Sequence, residues 1–287
     1  MKILCISNCN VLGLKGTLSH FFPEAEIEDY LIQRFQDKSN KLKNRIQEFD
    51  LVVSPKKIGN EIKEWSSEPD FIEFNPILFH AFHPDQCYLF SETGCLPGVL
   101  GDYHSISAFL GYKKGLNAEE TESFMKTILE FPGLANLGWE RSISKLYEKQ
   151  SDIFDNLMPL LKKIMANEPF MYTVNHPKIS VIYIALQLKL LNKNLIHSVS
   201  ETLPIYDNLS NSTIWSLEKA VSSNFKFLNY YEAYKESETN NFLNRKQMIE
   251  RSLNIYKKWN YDTSKIKLRG NLILDKIEKI ANEYEPI

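Results

Sequence analysis

Short apolar runs alternating with segments of helical period open the chain. Residues 2–6 read as a first strand, 12–22 as a helix stopped by Pro23, 25–30 as a second strand, 39–49 as a helix, and 50–53 as a third strand closing at Ser54-Pro55. A helix over 58–65 follows, then one or two strands over 71–82, interrupted by Pro76 and stopped at Pro84. Strand and helix in alternation is the sequence form of βαβ units on a parallel sheet.

From about Ser105 the pattern changes to helix after helix. Asn117 with Glu120 three residues on has capping-box spacing ahead of a Phe124, Ile128, Phe131 stripe. Trp139, Ile143, Leu146, Tyr147, Ile153, Phe154 and Leu157 recur at three- and four-residue steps, with Pro159 expected to kink or restart the helix. An apolar helix spans 179–191, and the last seventy or so residues carry two amphipathic faces, Phe242, Ile249, Leu253, Tyr256 and Ile266, Ile273, Ile277, Ile280, Tyr284. The expected fold is α/β: a small parallel-sheet, Rossmann-like N-terminal subdomain joined to a predominantly helical C-terminal part. The expected divisions are 1–104, the subdomain carrying the chemistry; 105–200, a helical part completing a cleft; and 201–287, a helical part on the same core. The polar loop around 203–212 marks the late boundary.

Composition narrows the class. In 287 residues, 43% hydrophobic and 24% charged is the ordinary globular balance, and 34 basic against 36 acidic residues leave a net charge of −2. No global field draws such a chain to nucleic acid or anionic lipid, so any bound phosphate is held locally. The apolar start breaks at Ser7-Asn8-Cys9-Asn10, too early for a signal peptide, and 179–191 is interrupted by Gln187 and Lys189, short of the ~18 apolar residues of a span. The expectation is a cytoplasmic protein without a transmembrane segment. Four cysteines, Cys5, Cys9, Cys87 and Cys95, with no CxxC pair, are neither a disulfide framework nor a zinc signature, and no metal ligands are assigned.

Cys9 is the most informative of them. It follows a buried strand and precedes a helix, where unpaired backbone N–H groups favour an anion and can hold an oxyanion. A helix N-terminus or a neighbouring imidazolium also shifts a thiol toward the nucleophilic thiolate. The flanking amides Asn8 and Asn10 are odd for a plain core strand, whereas Cys5, inside the strand, reads as core. His83 and Asp85 end another expected strand, at the edge where open α/β sheets place ligands, and so are expected near Cys9. Asp102 and His104 stand two residues apart at a helix start, where the carboxylate can orient the imidazole, or cap the helix instead. His176, before Pro177 and the helix at 179, is free to face a cleft or to pack. His20 and His197 carry no motif. Lys15, Lys56, Lys57, Lys113 and Lys114 offer charge for an anion, with Ser54, Lys56 and Lys57 favoured because they follow a strand.

Four blocks in order, Ser7-Asn8-Cys9-Asn10, Phe82-His83-Pro84-Asp85, Leu100-Gly101-Asp102-Tyr103-His104-Ser105 and Val174-Asn175-His176-Pro177, resemble the WcbI-type capsular polysaccharide biosynthesis family over about residues 1–190. Ser7 stands where that family has glycine and Asn10 where it has glutamine. The resemblance implies a cradle-shaped fold, a coenzyme A site, and ping-pong transfer of an acetyl group from acetyl-coenzyme A to a sugar hydroxyl, with a sugar or polysaccharide acceptor and capsule assembly machinery as partners. It implies Cys9 as nucleophile, His104 and His176 as candidate bases, and His83, Asp85 and Asp102 in support. Asn8, Asn10, Ser105 and Asn175 join Ser54, Lys56 and Lys57 as candidate coenzyme contacts. Three other readings stay open on the residues alone: a cysteine-dependent ester or thioester hydrolase; a metal enzyme using His80, His83, Asp85, Asp102 and His104; and a glycan-binding protein using its aromatic side chains.

Overall fold

In β1 (Lys2–Ser7), Leu4 and Ile6 face one side and Ile3 and Cys5 the other, and all four are buried. A strand buried on both faces belongs inside a parallel sheet. In the computed structural model, β2 (Glu26–Leu31) pairs with β1 from Lys2↔Glu26, β3 (Leu51–Ser54) pairs on its other side from Ile3↔Leu51, and β4 (Asp70–Glu73) follows β3. The order is β2-β1-β3-β4, parallel throughout. The structure describes residues 1–199, 206–227, 231–239 and 241–285.

The described chain forms two compact units. The first comprises Met1–Leu78, Leu146–Ile164 and Asn175–Leu209, and the second Phe79–Lys145, Met165–Val174 and Ser210–Ile287. In the first unit, α1 (Val11–Phe21) leads from β1 to β2, α2 (Ile32–Lys43) and a short 3-10 turn lead back to β3, and α3 (Lys56–Lys63) leads to β4. The Leu4 and Ile6 face is closed by Phe35, Leu42, Ile46, Phe49, Ile58 and Ile62 from the second and third connections. The chain leaves β1 toward β2 and β3 toward β4, so the carboxyl ends of β1 and β3 flank the crevice where open sheets of this kind bind ligands.

In the second unit the strand β5 (Gln86–Ser91) carries β6 (Gly94–Cys95), β7 (His104–Ser105) and β12 (Lys267–Arg269), all antiparallel. The helices α4 (Ile106–Lys113), α5 (Ala118–Leu129), α10 (Arg245–Lys258) and α11 (Leu274–Glu283) surround a core that includes Phe109, Phe124, Met125, Ile249, Tyr256 and Ile277. The remaining elements are α6 (Leu134–Gln150), α7 (Phe154–Met165), β8 (Met171–Thr173), β9 (His176–Pro177), α8 (Ile179–Asn192), α9 (Lys219–Phe225) and the hairpin of β10 (Ala233–Lys235) and β11 (Phe242–Asn244). Asn117 caps α5 as its spacing with Glu120 predicts: its side chain accepts from the Glu119 and Glu120 amides, and Glu120 reaches back to the Asn117 N–H.

The mixed α/β class holds, with local differences. β4 ends at Glu73, and 74–85 contain no strand, because Asn75 takes the place of a ladder. Its Oδ1 accepts the Lys56 N–H, its Nδ2 donates to the Lys149 carbonyl, and its own carbonyl accepts from Gln150. The second helix starts at Ile32, directly from β2, and stops at Lys43. Pro159 sits inside α7 on its exposed side, and the break falls at 151–153 instead. Phe242 belongs to β11, since Asn244 caps α10 two residues later, and Ile273 caps rather than continues the last helix. Of the polar loop, 203–205 lie outside the described residues and Asn208–Asn211 form a 3-10 turn. Among the described residues no helix is long and apolar enough to cross a membrane.

Candidate active site

The turn from β1 into α1 is built by Asn8. Its Oδ1 accepts the Asn10 N–H at 3.2 Å and the Ser7 hydroxyl at 3.3 Å, and its carbonyl accepts the Val11 N–H that opens the helix. This Asx-type turn leaves Cys9 at the tip, exposed, in front of the first-turn amides of α1. Cys5 and Cys87, by contrast, are buried, and burial pushes both thiols up, away from ionisation.

Packing of two helix starts brings a second strand of chemistry to this tip. Gly13 lets α1 approach α8 closely: a Cβ there would stand 3.0 Å from Cδ1 of Ile182 and 3.4 Å from Cδ1 of Ile179. The Ile179 N–H is capped by Asp207 at 2.8 Å, and the residues just before it, Asn175 and His176, then reach the sulfur. His176 Nε2 lies 2.9 Å from Cys9 Sγ, and Asn175 Nδ2 donates toward the same Sγ at 3.4 Å. Asn10, nearly fully buried, donates from Nδ2 to the Asn175 carbonyl at 3.1 Å and ties the two chain segments together. Burial lowers the His176 pKa to about 4, so the imidazole is neutral at physiological pH. A neutral ring with its proton on Nδ1 presents Nε2 as an acceptor to the Cys9 S–H.

Other residues singled out in the sequence have partners within the second unit. His83 is buried with Nδ1 3.3 Å from the Ser216 carbonyl, and burial lowers its pKa to about 4. Asp85 accepts from the Ser105 and Ser107 hydroxyls and the Ser107 N–H, while burial pushes its carboxyl up to about 6. The expected pairing of His104 with Asp102 is not made. His104 Nε2 meets the Leu96 carbonyl at 2.8 Å and Nδ1 meets the Tyr256 hydroxyl at 3.1 Å, whereas Asp102 is exposed. Ser105, not Asp102, caps α4 by accepting the Ala108 N–H. His80 Nε2 meets the Gly270 carbonyl at 2.6 Å. Among the described residues no group of three His, Cys, Asp or Glu side chains is arranged to hold a metal.

The candidate anion contacts divide. Ser54 is buried, and its hydroxyl stands 3.0 Å from where a Cβ of Gly59 would be. Lys56 and Lys57 are exposed at the start of α3 and line a cavity of about 690 Å³ with Asn60, Asn75 and Lys149. Lys15 is paired to Asp29 at 2.7 Å, and Lys113 and Lys114 close α4 at its C-terminus, the wrong helix pole for an anion.

The family model of the polysaccharide biosynthesis enzyme WcbI matches residues 2–189, a stretch that contains β1, the Cys9 turn and the Asn175-His176 segment. The chain belongs to the WcbI family. A solved structure of WcbI, described as a novel polysaccharide biosynthesis enzyme in its native form without a disulfide bond between coenzyme A and its own cysteine, superposes with a TM-score of 0.69 at 15% identity. The match covers 98% of this chain and 94% of that one, and shows a shared fold. No curated protein matches the chain.

Membership in the WcbI family rests on the first two-thirds of the chain, and the site geometry lies within that stretch. What sequence reasoning missed is the link from Asn10 to the Asn175 carbonyl. The two residues are 165 positions apart, and nothing local in either segment signals the other.

Proposed function

We propose that this WcbI-family chain is a cytoplasmic O-acetyltransferase of capsular or surface polysaccharide biosynthesis, with Cys9 as nucleophile and His176 as its base. The observation that carries the reading is an exposed sulfur 2.9 Å from a neutral imidazole nitrogen at the carboxyl edge of a parallel sheet. The coenzyme A and cysteine named for the solved WcbI structure support a thioester donor.

His176 Nε2 takes the Cys9 proton, and the thiolate attacks the acetyl carbonyl of acetyl-coenzyme A. The bond from carbonyl to coenzyme sulfur breaks, the leaving coenzyme thiolate takes the proton back from His176 Nε2 and departs as the thiol, and the acetyl group remains on Cys9. One thioester replaces another, so this step changes bond energy little. A sugar hydroxyl then attacks the acetyl-cysteine while Nε2 accepts its proton. The Cys9 thiolate is expelled and recovers that proton, leaving the sugar ester and the starting enzyme. Base assistance of this kind contributes roughly 10²–10⁴-fold. The first-turn amides of α1 suit the oxyanion of each tetrahedral intermediate. Lys56 and Lys57 suit the coenzyme phosphates, because exposed ammonium groups around an open cavity hold phosphate at modest cost in desolvation.

Release of free coenzyme A, followed with and without a sugar acceptor, tests this reading. The expected course without acceptor is a burst of one equivalent per enzyme and then arrest, with steady turnover on adding acceptor. Steady release at the same rate in both conditions identifies a thioester hydrolase and overturns the transferase.

A further inference from the structure

We propose that Asn175 is a catalytic residue: its side-chain amide donates to the sulfur of Cys9 and stabilises the negative charge that develops there, with Asn10 as the positioning residue that holds it in place. The inference rests on the reading of Cys9 as the nucleophile and adds the group that keeps the thiolate in place once its proton has left.

A thiol has one hydrogen. With that hydrogen directed to His176 Nε2 at 2.9 Å rather than to the more distant Asn10 Oδ1 at 4.0 Å, Asn175 Nδ2 at 3.4 Å is placed as a donor to the sulfur. The electrostatics call for such a donor. His176 is buried, and a buried imidazole resists carrying the positive charge that stabilises thiolates beside exposed histidines. Neutral dipoles must therefore supply part of that stabilisation, with the amide of Asn175 on one side and the first-turn N–H groups of α1 on the other. An amide donor strengthens as its acceptor gains charge, so it favours the thiolate over the thiol and the expelled sulfur over the acetylated one.

The backbone around Asn175 is held at both ends. Asn10 donates to its carbonyl at 3.1 Å, and Asp207 pins the Ile179 N–H four residues later. Asn10 is 2% exposed and is itself the last residue before α1, so its amide transmits the position of the Cys9 turn directly to Asn175. The titratable groups on the elements packed here include His176 beside the sulfur, Asp207 engaged by the Ile179 and Leu209 amides, and Lys15 paired with Asp29.

The test is the pH dependence of Cys9 alkylation by iodoacetamide, which reports thiolate formation and needs neither donor nor acceptor. A Cys95→Ser background removes the other exposed thiol. Asn175→Ala is expected to move the alkylation midpoint upward by about one pH unit, and Asn175→Asp, equal in size but anionic, to move it further in the same direction. Asn10→Ala is expected to produce a smaller upward shift with the Asn175 amide still present. An unchanged midpoint in Asn175→Asp overturns the proposal, and this isosteric variant keeps the test decisive if Asn175→Ala fails to fold. Failure is distinguishable from failure of the transferase reading. A protein whose thiol depends on Asn175 but which never accepts an acetyl group loses the function and keeps this inference; one that acetylates with a midpoint indifferent to Asn175 does the reverse.

Discussion

Two regions of this molecule collect the residue types from which hydrolytic and transfer chemistry is built, and they use them in opposite ways. Around Cys9 the sulfur is exposed, and the imidazole of His176 and the amide of Asn175 converge on it. In the second unit His80, His83, Asp85 and His104 are all buried, and each meets a carbonyl or hydroxyl of the surrounding framework. Imidazole and carboxylate are chemically the same in both places. What differs is what their bonded polar atoms meet: a reactive sulfur in one place, backbone carbonyls and hydroxyls in the other. Gly98 makes the second use plain: a Cβ there would fall 2.6 Å from the His104 ring, so the backbone closes on that histidine as it does on a core side chain.

The comparison breaks first at the histidines. His176→Ala is expected to lower acetyl transfer per folded molecule roughly 10²–10⁴-fold. His104→Ala is expected to cost about 1–3 kcal/mol of stability by leaving the Leu96 carbonyl and Tyr256 hydroxyl without their partner, with turnover per folded molecule unchanged. Steady-state rates normalised to folded protein, together with urea unfolding, separate the two. A His104 variant that folds normally and loses turnover would reverse the assignment.

Acid sharpens the contrast. His80, His83 and His104 have folded pKa values lowered from 6.5 to about 4 by burial, so each contributes stability that is present above pH 6.5 and lost as pH falls toward 4. The limit is about 1.4 kcal/mol per pH unit for each histidine. Asp85 acts in the opposite sense: its pKa is raised from 3.8 to about 6, so its stabilising neutral form is lost as pH rises through that window. His176, lowered to about 4 in the same way, adds a fourth; four histidines outweigh one carboxyl, and the expected result is a thermal midpoint that falls between pH 6.5 and 4.5. His104→Gln should flatten that slope. At the other region, His176 stays neutral until about pH 4, so the acid limb of transfer should lie nearer 4 than 6.5.

Both regions use close helix packing, α1 on α8 at Gly13 and α4 on α5 at Gly111, but only the first lies beside Cys9. Gly13→Val is expected to cost about 1–3 kcal/mol by driving α1 against Ile182, and to slow transfer by separating Cys9 from His176. The smallest effect is expected at the proposed phosphate contacts: Lys56→Ala should raise KM for acetyl-coenzyme A severalfold with kcat unchanged, as befits one exposed charge worth about 1 kcal/mol or less.

Much of the parallel sheet was legible because its signals are local. Apolar runs ended by polar turns placed β1 and β3, and the Asn117 and Glu120 pair marked the start of α5 through a cap made within four residues. Cys9 was legible for the same reason, as a cysteine between a strand and a helix. The pairing of β5 with β12 was not, because residues 86–91 and 267–269 carry no mark of a partner so far along the chain. Nor was the fate of His104, whose proximity to Asp102 in sequence says nothing of the nearer partners that folding supplies from Leu96 and Tyr256. Spacing shows which side chains are available. The partners that folding supplies decide which remain so.

Intact-mass measurement after rapid quench from acetyl-coenzyme A, with no acceptor present, tests the central claim most directly. The account predicts wild-type protein carrying one added acetyl group, located on the peptide that contains Cys9 and absent from Cys9→Ala, whose thermal stability should match wild type because the side chain is exposed. Wild-type protein that consumes acetyl-coenzyme A while its mass never changes, or an acetyl group that persists in Cys9→Ala, would contradict it.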